Sequence, residues 1–331
     1  MKKVYLASIG QRSGKSVLSL GIARNFPGKV GFYKPFRESM VKWNGVAVDQ
    51  DAMLMSYVLG LDDKTSLSPF SYDIFDPVSM EDIRTAYDHL KEDKDLMIIE
   101  GSRDLTNGFT HGLSHLDISK ALDAPMVLVS SSSPTSIDGT FMFKSICDQR
   151  GLDVRGVVLN KCQDCQERQL LESRGIPVLG EIPPIPELRS FRVSEIIEKT
   201  SAAVLAGEKG LDRLVEDVLV GAMSPQTAIR YMRRGQRKAV ITGGDRTEIQ
   251  LAALSTDTSC IVLTGGITPP RTILARAEEL NVPVLLLDGD TLAVSEVIEH
   301  LIARVDPRDQ DKMELITKRV RAGVDLERLW E

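Results

Sequence analysis

The sequence is poor in cysteine and histidine, with four of each among 331 residues, and it carries no excess of positive charge. Four cysteines are too few for a disulfide framework. The histidines, His89, His111, His115 and His300, offer no second pair at finger spacing, so Cys162-x-x-Cys165 lacks the two further ligands a structural zinc needs. A thioredoxin-like redox pair would normally open a helix within its own small fold. The pair is therefore read as two thiols in a loop. Lys and Arg total 41 against 47 Asp and Glu, a formal charge of −6, which argues against a generic nucleic-acid surface with its clustered cations. No apolar run approaches the roughly 18 residues that cross a bilayer. Met1 to Ala7 begins like a secretory leader, but the apolar stretch stops at Ser8-Ile9-Gly10 before a leader core can form. These absences describe a cytoplasmic chain with neither a membrane nor a nucleic-acid partner.

What is present is ordinary globular composition, 42% hydrophobic and 27% charged, in a length that suggests about two domains. Short Val- and Ile-rich runs recur between helical patterns at Val4–Ala7, Val30–Tyr33, Leu96–Ile99, Met126–Val129, Val157–Leu159 and Pro177–Leu179. Continuous apolar runs, unlike alternating ones, suit strands buried on both faces, so this half reads as an α/β domain whose parallel sheet is covered by helices on both faces. After the proline-rich stretch from Ile182 to Pro186 and a helical segment at 193–205, Gly207-Glu208-Lys209-Gly210 breaks the pattern. A second, smaller α/β domain then carries strands at Ala239–Thr242, Ile261–Thr264 and Val284–Leu287. The expected division is 1–205 and 206–331. The tail from Asp306 reads as a charged helix with Met313, Ile316, Val320 and Val324 on one stripe.

Gly10-Gln11-Arg12-Ser13-Gly14-Lys15-Ser16 follows the first strand and enters a helical segment, the place a phosphate-binding loop occupies. Glycines let backbone N–H groups converge on phosphate oxygens, Lys15 adds charge, the helix terminus adds its dipole, and the Ser16 hydroxyl can ligate Mg²⁺. The strict eight-residue pattern would need its first glycine at Ile9, whereas the glycine stands one position later. Glu100 ends the apolar strand Leu96–Ile99 as a Walker-B-type carboxylate, on the rim where open α/β sheets bind ligands. Asp49-Gln50-Asp51-Ala52 heads a helical segment, where an aspartate also serves as N-cap. Lys34, ending the strand before Pro35, could meet a phosphate or an anionic substrate, or be a solvated lysine.

In the second half, Thr242-Gly243-Gly244 and Thr264-Gly265-Gly266 are the same device, each ending a strand, with one βαβ crossover between them and Glu248–Leu254 as its short helix. Both turns should lie side by side and form a crevice. Asp245-Arg246-Thr247 and Asp288-Gly289-Asp290-Thr291 would bring charge and hydroxyls to the same rim. The plainer alternative is that these glycines serve tight turns with positive φ.

The order of these pieces over roughly residues 1–200 resembles the dethiobiotin synthetase branch of P-loop proteins, which also holds the cobyrinic acid a,c-diamide synthases. The resemblance rests on Gly14-Lys15-Ser16, Tyr33-Lys34-Pro35, Asp51-Ala52, Glu100-Gly101 and Asn160-Lys161. It implies ATP and Mg²⁺ as cofactors, with Gly10, Ser13, Gly14, Lys15 and Ser16 around phosphate. Ser16, Asp51 and Glu100 would hold the metal, Lys34 would lie near an acceptor with Lys15 and Lys34 as catalytic cations, and Asn160 would sit beside the base. Gln163 stands where a guanine-selective loop has aspartate, which favours adenine. Ser102-Arg103-Asp104 replaces the family's small Gly-Gly turn, and Ser130-Ser131-Ser132-Ser133-Pro134 forms the acceptor loop, so bulk and charge enter the acceptor site. The second half is similar to the DRTGG domain found after such a P-loop domain in the N-terminal region of long bacterial phosphate acetyltransferases. Asp245-Arg246-Thr247 supplies three letters of that motif, while Glu248-Ile249 replaces its Gly-Gly.

An intact phosphate cradle beside an altered acceptor site, followed by a domain without a recognisable nucleophile or base, makes a nucleotide-dependent regulator the expected function, with a small ligand bound around Gly243, Gly244, Asp245, Arg246, Thr247, Gly265 and Gly266. The acetyltransferase catalytic domain would require further residues, so acetyl transfer is not expected of this chain by itself. Two alternatives stay open: an ATP-dependent synthetase that activates a carboxylate as an acyl phosphate, or a scaffold for a separate acetyltransferase chain. Relatives with the first domain often work as dimers, which makes a homo-oligomer an expectation.

Overall fold

All six apolar runs of the first half become strands of one fully parallel sheet in the computed structural model. The structure describes every residue except 11, 12, 44, 222 and 302–304, so Gln11 and Arg12 of the phosphate loop lie outside the described residues. In chain order the elements are β1 (Lys2–Ser8), α1 (Lys15–Asn25), β2 (Val30–Tyr33), β3 (Met40–Trp43), β4 (Val46–Asp49), α2 (Gln50–Leu59) and α3 (Met80–Leu90). There follow β5 (Leu96–Glu100), α4 (His115–Ala121), β6 (Met126–Ser131), α5 (Pro134–Gln149), β7 (Val154–Asn160), α6 (Gln166–Ser173) and β8 (Val178–Ile182). The sheet order is β2-β5-β1-β6-β7-β8. Its central strands are dry: Leu96 through Glu100 and Val4 through Ser8 are all buried, as strands covered on both faces must be.

The small antiparallel hairpin β3–β4, which pairs Met40 with Asp49 and Trp43 with Val46, is absent from the sequence reading. Asn44-Gly45 was its available signal, since that dipeptide favours the tight hairpin turn, and Gly45 has φ +80°. The hairpin matters because it delivers Asp49 and Asp51 to the rim.

The second unit runs β9 (Phe191–Arg192), α7 (Val193–Thr200), β10 (Ala203–Ala206), β11 (Leu214–Val215), β12 (Asp217–Val220), α8 (Pro225–Met232), β13 (Lys238–Gly243) and α9 (Thr247–Leu254). It continues with β14 (Thr258–Thr264), α10 (Arg271–Glu279), β15 (Val284–Leu286) and α11 (Thr291–Leu301). Its sheet order is β10-β15-β14-β13-β12, with β10 antiparallel at one edge. The chain ends with α12 (Gln310–Gly323) and α13 (Leu326–Trp330).

The compact units are Met1–Pro184 with Val305–Glu331, and Ile185–Arg304, which differs from a division at residue 205 in two places. Residues 193–206 go with the second unit because Val193 and Ile196 of α7 enter its core and β10 extends its sheet. The tail returns to the first unit. Gly21 of α1 leaves no space for a side chain, since a Cβ there would come within 2.4 Å of Val320 Cγ2, and that close approach lets α12 lie against α1. Met313, Ile316 and Val320 are buried as the stripe requires, while Val324 lies just past the helix and bridges Gly180. Trp330 packs edge-on against Phe26 with ring centroids 5.1 Å apart.

Candidate functional site

The first unit gathers its charged side chains at the carboxyl ends of β1, β2 and β5, where a parallel sheet leaves a crevice. Gly14 is the N-cap of α1 with φ +100°, and no side chain among the described residues caps the helix. The first-turn N–H groups therefore point outward as an anion site. Ser8, buried at the end of β1, holds the loop: its hydroxyl bonds Ser13 Oγ at 2.7 Å and donates to the Gly10 carbonyl. From the far side, Asn160 Nδ2 donates to the Ser13 carbonyl at 2.7 Å. The Asn160 Oδ1 accepts from the Lys161 N–H at 3.0 Å. Asn160, expected beside a base, has its amide engaged with the phosphate loop itself.

Lys15 Nζ donates to the Ser102 carbonyl at 3.1 Å. Burial holds this ammonium below its ordinary range, against the pull of Glu100 and other carboxylates. Glu100 accepts from Ser19 Oγ at 2.8 Å and, more distantly, from Ser16 Oγ at 3.5 Å. Burial, reinforced by the charge of Asp51, pushes the Glu100 carboxyl up to about 8. Asp51 goes the other way: burial alone would raise it, but Lys34 beside it and a hydrogen bond from Ser16 hold it below the usual carboxylate range. Ser16, Asp51 and Glu100 are thus brought together, with the serine hydroxyl touching both carboxylates. Oxygen donors of this kind suit a hard cation such as Mg²⁺, which takes one or two carboxylates alongside phosphate oxygens and water.

Lys34 is neither a solvated lysine nor a free cation on the rim. Its side chain is 1% exposed and faces Asp51 at 2.6 Å, Asp49 at 3.2 Å and Glu38 at 3.5 Å. Burial would lower this ammonium, yet the surrounding carboxylates, Asp51 foremost, raise it above the ordinary lysine range. Asp49 is also the N-cap of α2, accepting from the Asp51 and Ala52 N–H groups, so the capping role and the site role coincide. Glu38, unremarked in the sequence, joins this cluster and accepts from the Arg103 N–H, while the Arg103 guanidinium donates to the Glu38 carbonyl at 3.1 Å. Arg103 is therefore tied to Glu38 beside the site. The serine run likewise has local work: Ser133 caps α5 ahead of Pro134, and Ser131, Ser133 and Ser136 bond one another.

His115, which has no zinc partners at finger spacing, is a buried residue of the first unit. It is buried behind Gly101, where a Cβ would come within 2.2 Å of its Nδ1. Tyr5 Oη lies 3.2 Å from that nitrogen, and Nε2 lies 3.1 Å from the Asp104 carbonyl. Burial and the nearby Lys15 hold its pKa down at about 3, so it is neutral and rigidly placed under the Ser102 turn that receives Lys15.

The two cysteines of the CxxC are joined as a disulfide, contrary to the expectation of two loop thiols. Lys161 at φ +60° and Asp164 at φ +50° make a tight turn that brings the Cα atoms to 6.0 Å, within bridging range. Their sulfurs and a Glu181 carboxylate oxygen lie within 4.8 Å of one another.

In the second unit, β13 and β14 are parallel with Gly243 paired to Thr264, so the twin turns do sit side by side. They fill the space between them: a Cβ on Gly244 would come within 1.7 Å of the Ile267 carbonyl oxygen. Gly265 and Gly266 have φ +78° and +65°, so the second turn needs glycine for its backbone and the first for its close approach. Asp288 reaches the same rim, 3.5 Å from the Cβ position of Gly266, and Thr264 bonds Thr291 at 3.0 Å. Arg246 donates to the Met223 carbonyl at 2.8 Å. Beneath the first turn, Thr242 Oγ1 and Gln250 Oε1 are buried without a hydrogen-bond partner among the described residues.

Among the described residues no helix is long and apolar enough to cross a membrane. A family model described as an AAA domain matches residues 2–192, and one described as a DRTGG domain matches residues 195–301. The chain is 28% identical over 344 residues to phosphate acetyltransferase of Synechocystis, covering 94% of this chain and 48% of that protein. It is 23% identical over 229 residues to an ATP-dependent dethiobiotin synthetase of Bacillus cereus, covering 62% of this chain and 92% of that one. The chain thus spans about half the length of the phosphate acetyltransferases it matches. Among solved structures, a ParA family ATPase from Chlorobium tepidum matches with TM-score 0.39 and 13% identity over 56% of this chain and 86% of that one. The resemblance drawn from Gly14-Lys15-Ser16 and Asp245-Arg246-Thr247 is thereby borne out in both halves and in their order.

Proposed function

The chain belongs to the AAA domain family, and from that premise we propose that it is a nucleotide-dependent regulator that binds ATP and Mg²⁺ in its first unit and a small ligand at the DRTGG unit. The observation that carries this reading is the Ser16 hydroxyl, held between the Glu100 carboxylate at 3.5 Å and Asp51 beside the buried Lys15. Loop N–H groups and Lys15 would take the phosphates, and Ser16, Asp51 and Glu100 would hold the cation, which screens phosphate charge when bound. Asn160, next to the loop, would border the base. In the second unit, the small ligand would lie at the rim of Gly243, Gly244, Asp245, Arg246, Thr247, Gly265 and Gly266, which Asp288 also reaches.

Regulation is favoured over carboxylate activation by the state of Lys34. A cation that is to stabilise charge on a transferred phosphoryl group must be free to face it, and Lys34 is committed to Asp51, Asp49 and Glu38. Calorimetric titration with ATP and Mg²⁺ tests the proposal. Saturable binding by the parent protein is expected, weakened about tenfold or more, at least 1.4 kcal/mol, by Lys15→Ala. No binding by the parent, or equal binding by the variant, refutes it. ADP release that depends on an added carboxylic acid would replace regulation with carboxylate activation.

A further inference from the structure

The turn that carries Asn160 onto the phosphate loop is the turn that contains the disulfide. Asn160 ends β7, Cys162 follows two residues later with its N–H on the Ile182 carbonyl, and the Asp164 N–H donates to Glu181 Oε2 at 2.9 Å. The bridge closes a loop with a sequence separation of only 3, and short loops give a disulfide the least leverage on the unfolded chain. A stabilising staple would be poorly placed here. The two sulfurs also differ in access: Cys162 is 3% exposed, while Cys165 is partly exposed at the N-cap of α6 with its side chain unused in capping. A thiolate at a helix N-terminus is favoured by the dipole.

We propose that Cys162 and Cys165 form a reversible thiol–disulfide couple whose state sets the order of the phosphate loop through Asn160. Reduction takes two equivalents of a low-molecular-weight thiol. A thiolate attacks the accessible Cys165 sulfur and the Cys162 thiolate leaves; a second thiolate then displaces Cys165 from the mixed disulfide. Two electrons pass to the protein, the two protons of the small thiols end on Cys162 and Cys165, and the small thiols leave as their disulfide. A low-molecular-weight disulfide reverses the sequence. With the bridge open, the 161–165 turn loses its cross-link, the left-handed Lys161 and Asp164 relax, and the Asn160 amide releases the Ser13 carbonyl. This inference is independent of nucleotide binding.

The test uses the full chain without nucleotide. Maleimide labelling under native conditions should add nothing to the oxidised protein and two labels, on Cys162 and Cys165, after dithiothreitol, leaving the buried Cys147 and Cys260 unlabelled. Treating the reduced protein with oxidised glutathione before the maleimide should abolish both labels together. Hydrogen exchange of the Leu18 amide, which donates to the Gly14 carbonyl of the loop at 3.1 Å, should be about fivefold faster in the reduced form, the protection of roughly one hydrogen bond. Cys165→Ser should show the faster exchange with and without reductant. Labelling without any change at Leu18, exchange in Cys165→Ser equal to the oxidised parent, or a reduced protein that retains stoichiometric zinc on Cys162, Cys165 and Glu181 and cannot be oxidised would each overturn the proposal.

Discussion

Asn160 and Gly14 share one space: the Asn160 Nδ2 lies 1.9 Å from where a Cβ on residue 14 would stand. The glycine is thus required twice, by its left-handed backbone at φ +100° and by the amide that crosses it to reach the Ser13 carbonyl.

Gly14→Ala is expected to lose stability by about 1–3 kcal/mol from backbone strain alone, with the collision against Asn160 added, and to lose ATP binding. Asn160→Ala in the same chain removes the collision and leaves the strain. Thermal denaturation of the four proteins of this double-mutant cycle should therefore show the pair losing less than the sum of the singles. Strict additivity would show that the two side chains do not compete for this space.

Lys34→Met leaves Asp49, Asp51 and Glu38 together without their cation. Removing one member of a buried ion cluster typically costs about 3–5 kcal/mol, and chemical denaturation should register a loss of that order. Asp51→Asn added to Lys34→Met should restore part of it by removing one of the uncompensated charges. A Lys34→Met protein as stable as the parent would show that the cluster does not depend on its lysine.

The buried His115 predicts a pH dependence of stability with a definite sign. Its pKa is about 3 in the folded protein and about 6.5 when unfolded. Between those values the unfolded chain holds the extra proton, so the full stability present above about pH 6.5 is lost progressively as pH falls toward 3. The slope is at most about 1.4 kcal/mol per pH unit. Glu100, pushed up to about 8, works in the opposite sense and loses its contribution as pH rises. The difference between the parent and His115→Gln isolates the histidine: the variant should lose less stability than the parent between pH 6.5 and 5 in chelator-treated samples. Parallel curves would show that His115 does not titrate in this way.

Much of this protein was written locally. Six strands announced themselves as uninterrupted Val- and Ile-rich runs because a strand covered on both faces has no position for a polar side chain. Gly14-Lys15-Ser16 stood out because phosphate binding uses backbone and a short stretch of chain. The capping aspartate Asp49 was legible for the same reason. The hairpin β3–β4 was not, being short and partly exposed, with Met40, Trp43 and Val46 open to solvent; its Asn44-Gly45 was the overlooked signal. Ser8, Ser19, Glu38 and His115 escaped notice because a single polar residue in a sequence carries no mark of the neighbour that will satisfy it.

The sequence by itself determined the two α/β domains in their order, the phosphate loop and the acidic strand end, since these depend on residues adjacent along the chain or on periodicity. Only the tertiary structure decided that Lys34 is neutralised by three carboxylates, that Asn160 clasps Ser13, that Cys162 and Cys165 are bridged, and that the tail packs on α1 through Gly21. Each of these depends on which groups meet across the fold. In a buried setting, a charge or a sulfur takes its properties from the atoms within a few ångströms of it, and those atoms come from distant parts of the chain.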